Sequence, residues 1–172
     1  MEESLPLRLA GVIRESVVDG PGYRFVVFTQ GCPHRCEGCH NPETHDFEGG
    51  YASSTGRILT AIRQDPLLRG VTFSGGEPFC QAEPLALLAR QAHGIGLDVM
   101  CYTGYTYEQL LDGVSERPEW LELLRETDIL ADGPFLQTEK SLSLRFRGSK
   151  NQRIIHPRRS LEEGRVVELS LD

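Results

Sequence analysis

Three cysteines fall within eight residues, in the run Cys32-Pro33-His34-Arg35-Cys36-Glu37-Gly38-Cys39. Thiolates so close together converge on one centre, and thiolate is the usual ligand of iron–sulfur clusters and of zinc. A cubane cluster has four irons, so three cysteines leave one iron open to a substrate or cofactor. Zinc is the competing reading, with His34, His40 or His45 completing a three-cysteine, one-histidine site. Gly31, Pro33 and Gly38 suit the tight backbone path such a loop needs. The other two of the five cysteines, Cys80 and Cys101, stand alone and read as packing residues. An odd, clustered set in a chain without a recognisable secretory signal points to metal rather than disulfides.

A second segment, Thr72-Phe73-Ser74-Gly75-Gly76-Glu77-Pro78, follows an apolar run. Two glycines let the backbone approach a ligand and present amides to it, and Glu77 can accept from an ammonium group. Taken alone, such a segment is an ordinary turn. Thr103 and Asp132 each close a further apolar run, where they could meet a ligand or simply begin a surface turn. Asp19 and Arg24 flank Gly20-Pro21-Gly22, which reads as a turn or as a receiver of a partner's loop.

These residues need a scaffold of alternating strands and helices. Strands are predicted at 7–14, 23–29, 71–74, 97–102, 128–131, 153–156 and 166–169, and helices at 54–64, 81–93, 107–111 and 119–125. Residues 30–52 form a long loop around the cysteines, a length that marks a functional or ligand-anchored segment. Segments 32–39, 74–78, 103–105 and 132–135 all follow strand C-terminal ends, which share one face in a parallel α/β sheet. A complete eight-fold barrel needs about 250 residues. With 172 residues, the expectation is a partial, laterally open (β/α) barrel in one domain spanning 1–172. Trp120 reads as a helix anchor.

Net charge is −7, which argues against a mainly electrostatic hold on nucleic acid or an anionic membrane. No apolar run reaches membrane-spanning length, and the acidic N-terminus lacks signal-peptide blocks, so a cytoplasmic location is expected. Basic residues gather late, at Arg145, Arg147, Lys150, Arg153, Arg158 and Arg159, and read as a solvated face.

The cysteine run followed by Gly75-Gly76-Glu77 resembles the radical-AdoMet superfamily, whose signature pairs a CxxxCxxC loop with a GGE-type segment. The resemblance implies a [4Fe-4S] cluster on Cys32, Cys36 and Cys39, with S-adenosyl-L-methionine (AdoMet) chelated by the open iron. It further implies that Ser74, Gly75, Gly76 and Glu77 surround the methionyl amine, with Gly38 and His40 near the adenine. Thr103 and Asp132 are placed for further contacts. Many members carry an aromatic residue at the position of Gly38. Closer still, the segments at 19–24, 30–47, 128–135 and 146–153 look like the activating proteins of anaerobic ribonucleotide reductase. That family implies reductive AdoMet cleavage and hydrogen-atom abstraction from one backbone glycine of the large glycyl-radical subunit. Its electron would come from a donor such as flavodoxin or ferredoxin. The alternatives are an activase of another glycyl-radical enzyme, a small-molecule radical-AdoMet enzyme, and a zinc-stabilised or electron-carrier module without catalysis.

Overall fold

The computed structural model describes residues 2–171. Its strands are β1 (Pro6–Ser16), β2 (Arg24–Thr29), β3 (Tyr51–Ser54), β4 (Gly70–Gly75), β5 (Asp98–Tyr102), β6 (Ile129–Asp132) and β7 (Arg153–Ile155). The helices are α1 (Thr55–Arg63), α2 (Ala82–Gly94), α3 (Tyr107–Gly113), α4 (Glu119–Glu126) and α5 (Pro157–Glu163). One seven-stranded sheet runs in the order β3-β1-β2-β4-β5-β6-β7. Strands β2, β4, β5 and β6 are parallel, while β1, β3 and β7 pair antiparallel at the two sides. The class is therefore mixed α/β. The pairing is linear, with a four-stranded parallel segment at its centre, and the sheet order does not establish the expected partial barrel.

Strand alternation sorts the side chains by face. Phe25, Val27, Val71, Phe73, Val99, Cys101 and Leu130 point into the main core, against Ile58, Ile62, Leu85, Leu88, Leu110, Leu123 and Leu124 of α1–α4. The opposite face carries Phe28, Ser74 and Tyr102 near the strand ends that hold the loops, with Arg24, Val26, Thr72 and Met100 behind them. The helices pack on the first face; on the second, Phe146, Leu169 and Leu171 cover Met100, Ala131 and Ile154, and the rest faces the site.

Local signals explain the element ends. Ser54 accepts from the Arg57 amide at 3.2 Å and caps α1. Thr106 and Gln109 form a reciprocal capping box at α3. Trp120 anchors α4, its ring packed on Phe79 and its Nε1 donating to the Phe79 carbonyl at 2.8 Å.

Three segments differ from the sequence reading. β3 is a four-residue edge strand paired with β1, too short and too exposed to show an apolar alternation. Residues 166–169 form no strand and touch β7 through one isolated bridge, Ile155 to Glu168. The extended β7 leads instead into α5, which starts at Pro157 and ends on Gly164 in the left-handed region, φ 69°.

Candidate functional site

The cysteine loop leaves the C-terminal end of β2 and is tied down by the protein itself. The Gly31 and Cys32 amides donate to the carbonyls of Thr44 (2.7 Å) and His45 (3.1 Å). Gln30 Nε2 donates to Glu43 and Asp46 carbonyls at 3.0 and 2.6 Å. Across the gap to the β4 loop, the Glu77 amide donates to the Gly31 carbonyl at 2.8 Å. Arg35 within the loop is left-handed, φ 50°, one of two such non-glycine residues among those described. That conformation persists only where the surroundings fix it.

Cys32 is buried, and Cys36 and Cys39 are half-buried. Burial pushes the Cys32 thiol above its ordinary pKa, while the backbone amides of His34 and Arg35 pull it back down. The three cysteines open on one cavity of about 130 Å³, which Ser74, Gly75, Gly76, Thr103 and His45 also line. His45 Nε2 is buried and has no hydrogen-bond partner. Among the described residues, no three His, Cys, Asp or Glu side chains are placed to hold a single metal ion. A cubane spreads its thiolates over separate irons and does not need such convergence.

A larger groove of about 510 Å³ adjoins this cavity. Cys39, Ser74, Tyr102, Phe135 and Gln152 line both, so the two are continuous. The groove adds His40, Asp19, Phe146 and Arg147. His40 lies against Phe135, ring centroids 5.1 Å apart. Gln152 closes the far wall: its Oε1 accepts from the Gly148 and Ser149 amides (2.8 and 3.1 Å) and its Nε2 donates to the Gly133 carbonyl at 3.1 Å.

The structure thus brings Cys32, Cys36, Cys39, Ser74, Gly75, Gly76 and Thr103 to the smaller cavity and His40 to the groove. Gly38, φ 74°, lies against Gln137 rather than in either lining. Two carboxylates are engaged elsewhere. Glu77 is fully buried and accepts only from protein donors. Asp132 accepts from the Tyr107 amide at 2.7 Å and from Arg153 at 2.6 and 3.0 Å. Arg24 lies under the opposite end of the sheet, bonded to Thr72, Val71, Pro21 and Asp98. Cys101 is a core residue, and the Cys80 thiol, desolvated beside Glu77, is pushed up to about 12. Tyr102, Phe135, Arg147 and Gln152 were not singled out as site residues. The segments 132–135 and 146–153 that carry three of them were the available signal.

Comparison with known proteins bears on what this arrangement is. The family described as a 4Fe-4S single cluster domain matches residues 18–155, a span that includes all three loop cysteines. An anaerobic ribonucleoside-triphosphate reductase-activating protein of Vibrio cholerae is 33% identical over 148 residues, covering 81% of this chain and 91% of that protein. The chain belongs to this family of activating proteins. The family member of Enterobacteria phage T4 is 32% identical over 145 residues, covering 80% of this chain and 86% of that protein. The Escherichia coli K12 member is 33% identical over 150 residues, covering 83% and 94%. Family membership extends across both cavities, since Gly133, Phe135, Gly148 and Gln152 fall inside the matched span. Among solved structures, QueE from Escherichia coli covers 59% of this chain and 53% of its own, at 21% identity and a TM-score of 0.49, a likeness too partial to guide interpretation. No helix among the described residues is long and apolar enough to cross a membrane.

Proposed function

We propose that this chain is a radical-AdoMet activase whose target is the large glycyl-radical subunit of anaerobic ribonucleotide reductase, with the whole chain acting as one domain. The observation that carries the reading is the continuity of the two cavities, from three thiols to a peptide-sized groove. The donor set fits a [4Fe-4S] cluster: Cys32, Cys36 and Cys39 face one space, and nothing in the lining supplies a fourth thiol. Gly75 and Gly76 bring bare backbone to the same space and would receive the methionyl end of AdoMet. His40 and Phe135 offer ring surface for the adenine side. When bound, a reduced cluster and AdoMet supply one-electron cleavage of the sulfonium and removal of a hydrogen atom from the reductase glycine.

The chain's own residues bind, orient and exclude water. The helices pack on one sheet face, and in this reading the other face would serve as the inner wall of a laterally open partial barrel. The groove at Asp19, Tyr102 and Arg147 is the side through which a partner loop would approach. An external one-electron donor such as flavodoxin or ferredoxin belongs to the proposal, as does function in the cytoplasm.

The test is anaerobic reconstitution with iron and sulfide, then incubation with AdoMet, a reductant and an anaerobic ribonucleotide reductase. A glycyl-radical signal by electron paramagnetic resonance, with one 5′-deoxyadenosine formed per radical, supports the reading. A protein that loads one tetrahedral zinc, or an iron–sulfur protein that never cleaves AdoMet, overturns it.

A further inference from the structure

We infer that Glu77 is a positioning residue for the cysteine loop, acting through His34, and not a ligand for the ammonium group of a bound cofactor. The inference rests on the proposed role of residues 32–39 as the cluster loop. It concerns the loop's geometry, which hydrogen bonds within the protein define.

The Glu77 carboxylate is 0% exposed and lies outside the lining of the cysteine cavity. Four donors surround it: His34 Nε2 at 2.6 Å, the Gly104 amide at 2.8 Å, Thr103 Oγ1 at 2.9 Å and the Phe79 amide at 3.0 Å. A carboxylate has about four lone-pair sites, so these partners saturate it and leave none for a ligand. The donors come from three separate loops, after β2, β4 and β5. Glu77 is where those loops are joined.

His34 is the cysteine loop's part of that joint. Its Nε2 lies 2.6 Å from Glu77 Oε1. The imidazole packs edge-on to Tyr105, centroids 4.4 Å apart. It also covers Gly104, where an added Cβ would lie 2.5 Å from the ring. The residue is held on three sides, two positions after Cys32 and two before Cys36. Fixing the His34 ring therefore anchors the loop between Cys32 and Cys36, next to the left-handed backbone of Arg35.

The test uses Glu77→Gln, His34→Ala, His34→Gln and Gly104→Ala in the full chain. The first readout is amide hydrogen exchange over residues 32–39 of the apo protein, which needs no cofactor. The second is the rate at which a chelator strips iron from the reconstituted protein. The third is AdoMet affinity of the loaded fraction by equilibrium dialysis. Glu77→Gln and His34→Ala should each speed loop exchange and iron release about tenfold, with AdoMet affinity unchanged within about twofold. The double variant should be no worse than the worse single one, as expected for two ends of one bond. His34→Gln, whose amide reaches the position of Nε2, should restore much of the loss. Gly104→Ala, which displaces the ring without touching the carboxylate, should reproduce it even if Glu77→Gln proves too unstable to isolate. The inference is overturned if Glu77→Gln weakens AdoMet binding tenfold while loop exchange and iron retention stay at wild-type levels. A silent His34→Ala overturns it equally. Failure of wild-type protein to form a cluster would sink the functional reading instead, and the exchange result on the apo chain would still stand.

Discussion

Replacing Arg24 with Met separates a structural from a recognition role for the turn at residues 19–22. Arg24 is fully buried. Its guanidinium donates to Thr72 Oγ1 at 2.7 Å, to the Pro21 and Val71 carbonyls at 2.9 Å each, and to Asp98. Met keeps most of the stem's packing but satisfies none of these acceptors. Each neutral acceptor left short costs about 1 kcal/mol, and there are three. The Asp98 side chain is 29% exposed, so water recovers part of its loss, and the pair adds only about 0.5–1 kcal/mol. The expected destabilisation is therefore about 3–4 kcal/mol. For a domain of this size that corresponds to a drop of roughly 6–15 °C in Tm. Urea unfolding of the apo protein under anaerobic conditions measures it, with Asp98→Asn as the internal comparison at about 1 kcal/mol. A loss below 1 kcal/mol for Arg24→Met would refute the reasoning. If glycyl-radical yield then fell while stability held, the turn would be a recognition element.

Gly76→Ala should lower iron loading and Tm together, because its Cβ would collide with the Gly31 carbonyl and force the two loops apart. Wild-type iron per chain in that variant would contradict the packing described. The apo protein should also lose stability above pH 9. The Cys101 and Tyr102 groups are desolvated, so the native state keeps protons that the unfolded chain gives up above the ordinary thiol value of 9.0. Their contribution is complete below that value and declines as pH rises through the native ones. Urea midpoints at pH 7.5, 9 and 10 should fall in that order, and Cys101→Ala should flatten the trend.

Most strands and four helices were legible because each carries a local signal. β2 is apolar on both faces, Ser54 caps α1, and Gly94 marks the end of α2. α5 was missed although Pro157 and Gly164 bracket it, because its seven residues, Pro-Arg-Arg-Ser-Leu-Glu-Glu, offer a single large apolar side chain. The cysteines and the two glycines declared themselves by spacing. The directions of the carboxylates did not. Glu77 turns inward because donors from residues 34, 79, 103 and 104 converge on it, and Asp132 does so because Arg153 and the Tyr107 amide meet it. Such convergence exists only after folding. The late basic residues divide for the same reason. Arg153, Arg158 and Arg159 pair with Asp132, Asp128 and Glu163, while Arg147 turns to the groove.

The fastening of the cysteine loop has a consequence for loss of the metal. Gln30, Gly31, Cys32 and Glu77 hold this segment by bonds that involve no iron. Many small metalloproteins unfold when stripped, since metal binding is their folding energy. The expected consequence is that a chain stripped by chelator keeps this loop's shape and takes up iron and sulfide again without refolding, which circular dichroism before and after stripping checks.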